Sequence, residues 1–146
     1  MWSDTLVLAE RALVLRILVW GAFSALTGTI LLLLTTIRPR ATALLSHFAA
    51  QSAAWGLVEI LGAVCWWRLI PQRDLAGAER LDDMLWFLAG LEAGMIGIGV
   101  ALLAAGWALD RRLSLFGSGI AVLIHGLALL VLDLGAISRI AAIRIA

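Results

Sequence analysis

Apolar residues fall into four blocks, each closed by a short cluster of arginines, acids or proline. The first runs from Ile17 to Ile37, 21 residues without a charge, enough to cross a hydrocarbon core of about 30 Å at about 1.5 Å per residue. Arg38-Pro39-Arg40 ends it and imposes a tight turn. Ala41 to Trp67 is the second block, stopped by Arg68 and Pro71; Met84 to Leu109 is the third, stopped by Asp110-Arg111-Arg112; Leu113 to Ser138 is the fourth, stopped by Arg139. This pattern predicts an all-α fold, a four-helix transmembrane bundle with spans at about 17–37, 41–67, 84–109 and 113–138, forming one integral membrane domain over 1–146. Residues 1–16 mix charged and apolar positions behind Ser3 and Asp4 as helix caps, and read as a short helical lead-in lying at the membrane surface. Residues 68–83 are expected to be the one polar connection of any length.

Composition agrees. Hydrophobic residues make up 63% of the chain and charged residues 14%, where a soluble domain carries about 25% charge; the mean hydropathy is +1.04. A net charge of +1 argues against nucleic acid as a partner. Cys65 is the single cysteine, so it has no intrachain disulfide partner and reads as a small core or lipid-facing residue. The N-terminus has no basic leader before the first block, and that block is expected to stay as an anchor.

Charge distribution gives an orientation. Seven arginines (Arg11, Arg16, Arg68, Arg73, Arg80, Arg139, Arg144) lie on the side of the termini and four (Arg38, Arg40, Arg111, Arg112) on the other, which predicts both termini in the cytoplasm of a bacterial inner membrane protein. Trp20, Trp66, Trp67, Trp86 and Trp107 fall near span ends, where indoles anchor at the headgroup level, and Trp2 suits the lead-in. Gly90 and Gly94, extended by Gly97 and Ala101, make a small-residue face on the third span; Gly117 and Ala121 repeat the spacing on the fourth. Such faces permit close helix approach, within the chain by the simpler reading or between two copies.

Polar residues inside the spans carry the candidate chemistry. His47, Gln51, Trp55 and Glu59 recur every four residues and are expected to form one stripe facing the bundle interior. Counting along the helices puts Glu59, Glu92 and His125 within about 6 Å of one level, so that they could form a single cluster with Gln51 and Trp55 above it. Asp133 lies closer to the cytoplasmic interface and reads as an ordinary interfacial carboxylate. A carboxyl in a lipid-excluded interior either takes up a proton or pairs with a cation. The cluster therefore reads as a hydrogen-bonded structural network, a proton- or ion-responsive site, or a ligand or metal pocket framed by Trp55. No ExxH or HExxH spacing supports a metal. Ala121 to His125 has the small-xxx-His spacing by which antenna helices ligate a bacteriochlorophyll, though so short a match recurs by chance, and His47 and His125 differ in depth by roughly 8 Å, too far for a shared haem. Phosphate-loop and GxSxG motifs are absent, which argues against an enzyme.

HFAAQSAAWGLVEILGA, MLWFLAGLEAGMIGIG and FGSGIAVLIHGLALLVLDL together resemble the second to fourth helices of an uncharacterised family of small four-helix bacterial membrane proteins, a domain of unknown function. The likeness covers about residues 45–135 and lies in Trp55-Gly56-Leu57-Val58, in Ala89-Gly90-Leu91-Glu92 with Gly94, and in Gly119 through Asp133. In that family's pattern Asn more often stands where this chain has Glu59, Asp where it has Glu92, and Gln where it has His125. The resemblance thus implies shared polarity at these positions and favours a hydrogen-bonded interior over an obligatory metal site.

The functional expectation is a non-enzymatic accessory or structural subunit, or a binder of a lipid-like ligand, with Gln51, Trp55, Glu59, Glu92 and His125 as the ligand-binding residues and no particular cofactor indicated. Its partners would be the lipid bilayer and a larger membrane complex or a second copy. The alternatives are a small proton-coupled transporter or channel using Glu59 and Glu92, and a pigment- or haem-binding subunit using His125.

Overall fold

The computed structural model describes residues 2–38 and 42–145, with side chains from 3–38 and 42–143. Four helices fill it: α1 (Trp2–Ile37), α2 (Ala43–Leu69), α3 (Leu75–Ala108) and α4 (Leu113–Ile145). All four are long and apolar enough to cross a membrane. Pro39 and Arg40 of the expected first turn, and the side chains of Trp2 and Arg144, lie outside the described residues.

Local chemistry sets the helix ends. Thr42 caps α2 by accepting from the Leu45 N–H at 3.4 Å, and Asp74 caps α3 by accepting from the Gly77 N–H at 2.7 Å. The α3–α4 turn reverses through Asp110 and Arg111, both left-handed, with φ of 52° and 56°. No glycine is present to relieve them. Arg112 N–H closes the turn onto the Gly106 carbonyl at 3.0 Å, and the Arg111 guanidinium sits 4.7 Å from the Trp107 ring centroid.

Two expectations about the polar segments give way. The N-terminal stretch is not a separate surface helix: residues 2–16 are the first four turns of α1, with Leu6, Glu10, Leu13 and Val14 buried. The stretch 68–83 is mostly helical as well, because α3 begins at Leu75. The reason is common to both. Leu6 and Leu13 of α1 meet Ala78, Leu81 and Leu85 of α3 and Ala136, Ile137 and Ile140 of α4 in one apolar cluster at the end that bears the termini. Their mutual burial stabilises helix where charge content alone suggests loop.

A polar clamp closes the same end. The Glu10 carboxylate is fully buried and accepts from Arg73 Nε at 2.8 Å and from a second guanidinium nitrogen at 2.7 Å. Trp66 Nε1 adds a third hydrogen bond at 2.8 Å. Trp66 is thus tied to a buried acid and is no simple headgroup anchor. Glu10's hydrogen bonds push the Arg73 pKa above its ordinary value against the opposing effect of burial. The arrangement satisfies both carboxylate oxygens, the condition under which a buried ion pair holds.

The four helices pair as hairpins, α1 against α2 and α3 against α4, with α2 against α4 joining them and a looser contact between α1 and α4. Toward the middle the packing relies on missing side chains. A Cβ on Gly56 would strike the Ala25 and Gly21 backbone, one on Gly28 the Ala53 and Ala49 backbone, and one on Gly117 the Leu44 backbone. Gly99 and Gly119 face each other across α3 and α4, each about 3 Å from the other's carbonyl once given a Cβ. Gly117 and the buried Ala121 therefore pack inside the chain as expected. Gly90, Gly94 and Gly97 do not. They face outward with nothing within 4 Å of a Cβ, and Ala101 is exposed beside them. The intrachain reading of that face is overturned, because the inward face of α3 is set by Leu81, Leu85, Ala89, Glu92, Gly99 and Gly106.

This contrast is testable. Gly56→Ala should cost about 1–3 kcal/mol of stability, since its new methyl meets backbone that cannot rotate away, and should lower the thermal midpoint in detergent. Gly94→Ala, on the open face, should leave the midpoint unchanged or slightly raised.

Candidate functional site

The polar interior is built from α1, α2 and α4. The inward residues of α2 are Ala49, Ser52, Gly56, Glu59 and Ala63, spaced three and four apart in the manner of a buried helix seam. Gly21, Ser24 and Gly28 are buried at the same spacing on α1. Gly21 clears the way for Glu59, since a Cβ there would stand 2.9 Å from the Glu59 Cβ. On α4, His125 is 1% exposed and flanked by Ala121, Val122 and Gly126, all buried. Glu59 Oε1 and His125 Nδ1 meet at 2.7 Å. With Glu59 ionised, Nδ1 carries the proton and donates it, which leaves Nε2 as the imidazole's remaining hydrogen-bonding atom.

This pair is only partly satisfied. Glu59 Oε2 is buried with no partner, as is the indole nitrogen of Trp20, whose ring meets His125 edge-on at 5.8 Å between centroids. Trp20 therefore belongs to the interior, in contrast to the interfacial role expected for it. The imidazole lines a cavity of about 190 Å³, together with Trp20, Phe23, Ser24, Thr27, Phe48, Ser52 and Ile124. Trp20 and Phe23 also wall an apolar groove of about 490 Å³ between α1 and α4, whose other sides are Leu15, Arg16, Val19, Ala128 and Leu132. Leu15, Val19 and Phe23 are themselves half or more exposed, so this groove opens to the outside.

Glu92 does not join the pair. Its carboxyl instead faces that of Asp133 within hydrogen-bonding reach; Asp133 is 1% exposed and Glu92 6%. Glu92 Oε2 and both Asp133 oxygens have no donor among the described residues. The single cluster of Glu59, Glu92 and His125 thus resolves into two dyads, and Asp133 is an interior residue where an interfacial one was expected. A helical Glu side chain reaches back toward its own N-terminus, and on α3 that direction leads toward the Asp133 end of the antiparallel α4. Among the described residues no three His, Cys, Asp or Glu side chains converge closely enough to hold a metal ion.

The four-residue stripe also separates. Glu59 is buried, Gln51 and Trp55 are half-buried, and His47 is exposed. Four residues overshoot one turn by about 40°, so three such steps rotate His47 about 120° away from Glu59. Neither Gln51 nor Trp55 lines the His125 cavity, where Ser52 and Phe48 stand in their place. The three-and-four spacing shared by Gly21/Ser24/Gly28 and Ser52/Gly56/Glu59 was the available signal for this seam, and it is not a four-residue ladder.

Breaking the inner pair should be costly in proportion to what is left behind. His125→Ala strands the Glu59 carboxyl without its one hydrogen bond, and about 3–5 kcal/mol of destabilisation is expected in a thermal or chaotrope titration. Glu59→Gln keeps an acceptor for Nδ1 and should cost distinctly less.

The model of a family of unknown function (DUF6992) matches residues 16–134. No curated protein and no solved structure matches the chain. The matched segment takes in both dyads and all of the groove but Leu15, leaving out the first turns of α1 and the last of α4, and on that coverage the chain belongs to this family of unknown function.

Proposed function

We propose that the chain is a non-enzymatic integral membrane protein that binds a lipid-like molecule in the groove between α1 and α4, with the Glu59–His125 pair as its polar floor. The observation that carries this reading is the conjunction of buried, incompletely partnered polar groups with an opening onto the apolar exterior. His125, Ser24 and Ser52 are buried, yet they line a cavity that shares Trp20 and Phe23 with the outward-facing groove. An unpartnered buried polar group costs free energy that a bound molecule's own polar atoms can offset. Large apolar side chains cover the outside of all four helices, among them Val19, Leu61, Phe87 and Val131, each more than half exposed; this is the surface of a chain solvated by lipid. Seven arginines at the end of the termini against four at the other support both termini in the cytoplasm of a bacterial inner membrane. Such a protein would serve as an accessory or structural subunit of a larger assembly.

The test is extraction from native membrane into a detergent-free polymer disc, followed by mass spectrometry of what travels with the chain. A lipid species enriched over the bulk membrane and lost in Glu59→Leu supports the reading. A lipid profile equal to bulk in both the native chain and the variant removes it.

A second reading has its own observation, the facing carboxyls of Glu92 and Asp133. Two carboxyls in contact without a donor are relieved by one shared proton, as a small proton-coupled transporter would use. In proteoliposomes under an imposed pH gradient, proton entry abolished by Asp133→Asn and by Glu92→Gln would support it. Entry equal to that of empty vesicles would set it aside.

A further inference from the structure

We infer that the molecule held in this groove is an isoprenoid-quinone-type lipid, a single apolar tail ending in one compact, uncharged ring that carries carbonyl acceptors. This rests on the lipid-binding reading above and specifies its ligand.

Depth excludes most other lipids. Glu59 lies ten residues before the end of α2 and sixteen after its start, from its position in Ala43–Leu69, which places the dyad about 15 Å and about 24 Å from the helix ends. The polar chamber is therefore near the middle of the span. A phosphate or carboxylate head would have to leave the interface and lose its hydration to reach it, whereas an uncharged head crosses that depth at small cost. Size narrows the choice further, since about 190 Å³ admits one ring with small substituents and no glycerol headgroup.

The walls specify a flat acceptor. Trp20, Phe23 and Phe48 offer aromatic surface for an offset ring. Ser24 and Ser52 bring hydroxyl donors, and the indole N–H of Trp20 is buried without a partner. His125 has Nδ1 engaged by Glu59, so Glu59 orients the ring and leaves Nε2 as its free hydrogen-bonding atom. Carbonyl oxygens are the complementary partners. The tail then runs along the apolar groove of about 490 Å³ past Val19 and Ala128 toward Leu15 and Leu132, where a methyl-branched chain finds a wall that is apolar but for Arg16. Benzoquinone and naphthoquinone rings share this chemistry, and their distinct ultraviolet spectra separate the two sources.

Titration of the purified full chain with a decyl-substituted benzoquinone, read by quenching of tryptophan fluorescence, tests the assignment. Saturable quenching at micromolar concentration is expected. The double substitution Ser24→Ala with Ser52→Ala removes two donors without adding bulk and should weaken binding at least tenfold. Ser52→Leu fills the chamber and should abolish binding while the helical circular dichroism persists. Gly94→Ala on the open face should bind like the native chain. Quenching that does not saturate, or that is equal in all three variants, overturns the quinone assignment. If the polymer discs nevertheless retain an enriched lipid of another class, the lipid-binding reading survives and the quinone assignment alone falls. Bulk-like lipid together with no saturable quenching removes both.

Discussion

Close backbone approach between α1 and α2 is the constraint on which the interior depends. Gly21, Gly28 and Gly56 leave no room for a Cβ between the two helices, and it is this approach that seats Glu59 over Gly21 and turns it toward α4. In hydrocarbon there is little hydrophobic gain from pressing one apolar helix on another, so association relies on dispersion contacts at short range and on hydrogen bonds between helices. The molecule shows both, with glycine seams at the contacts and the Glu59–His125 bond at 2.7 Å tying α2 to α4. Gly117 against the Leu44 backbone repeats the device farther along the same pair of helices.

The end bearing the termini is held differently. There Leu6, Leu13, Leu81, Leu85 and Ile140 form an ordinary apolar cluster, and a buried carboxylate with a two-pronged arginine partner fastens α1 to the start of α3. Helices α1, α3 and α4, of 36, 34 and 33 residues, are longer than a hydrocarbon core of about 30 Å requires. The surplus turns form this cluster. One chain thus combines a small-residue, hydrogen-bonded middle with a leucine-packed end.

The two buried dyads follow from that geometry and differ in chemistry. Glu59 and His125 are acid and base, so a proton between them leaves both groups paired. Glu92 and Asp133 are both acids, and only a shared proton or a cation relieves them. Their separation along α4, from His125 to Asp133, keeps them as independent sites. A cavity opens beside the first dyad, which is why we propose ligand binding there and proton exchange at the second.

Much of the architecture was legible in the chain itself. Four apolar blocks of helical length, broken by Arg-Pro-Arg, by Pro71 and by Asp-Arg-Arg, dictate four helices long enough to cross a membrane, because length and hydropathy act locally and additively. The polarity of Glu59, Glu92 and His125 marked the interior for the same reason, since each is costly anywhere else. Tertiary structure alone decided which of them meet. Helix rotation sends His47 outward while Glu59 points inward, and side-chain direction carries Glu92 to Asp133 and away from His125. The extension of α1 and α3 beyond their apolar blocks, and the outward turn of Gly90 and Gly94, were likewise settled by contacts between segments distant in the chain. Periodicity constrains which residues share one helix's face; which face meets a neighbour is fixed only when all four helices pack together.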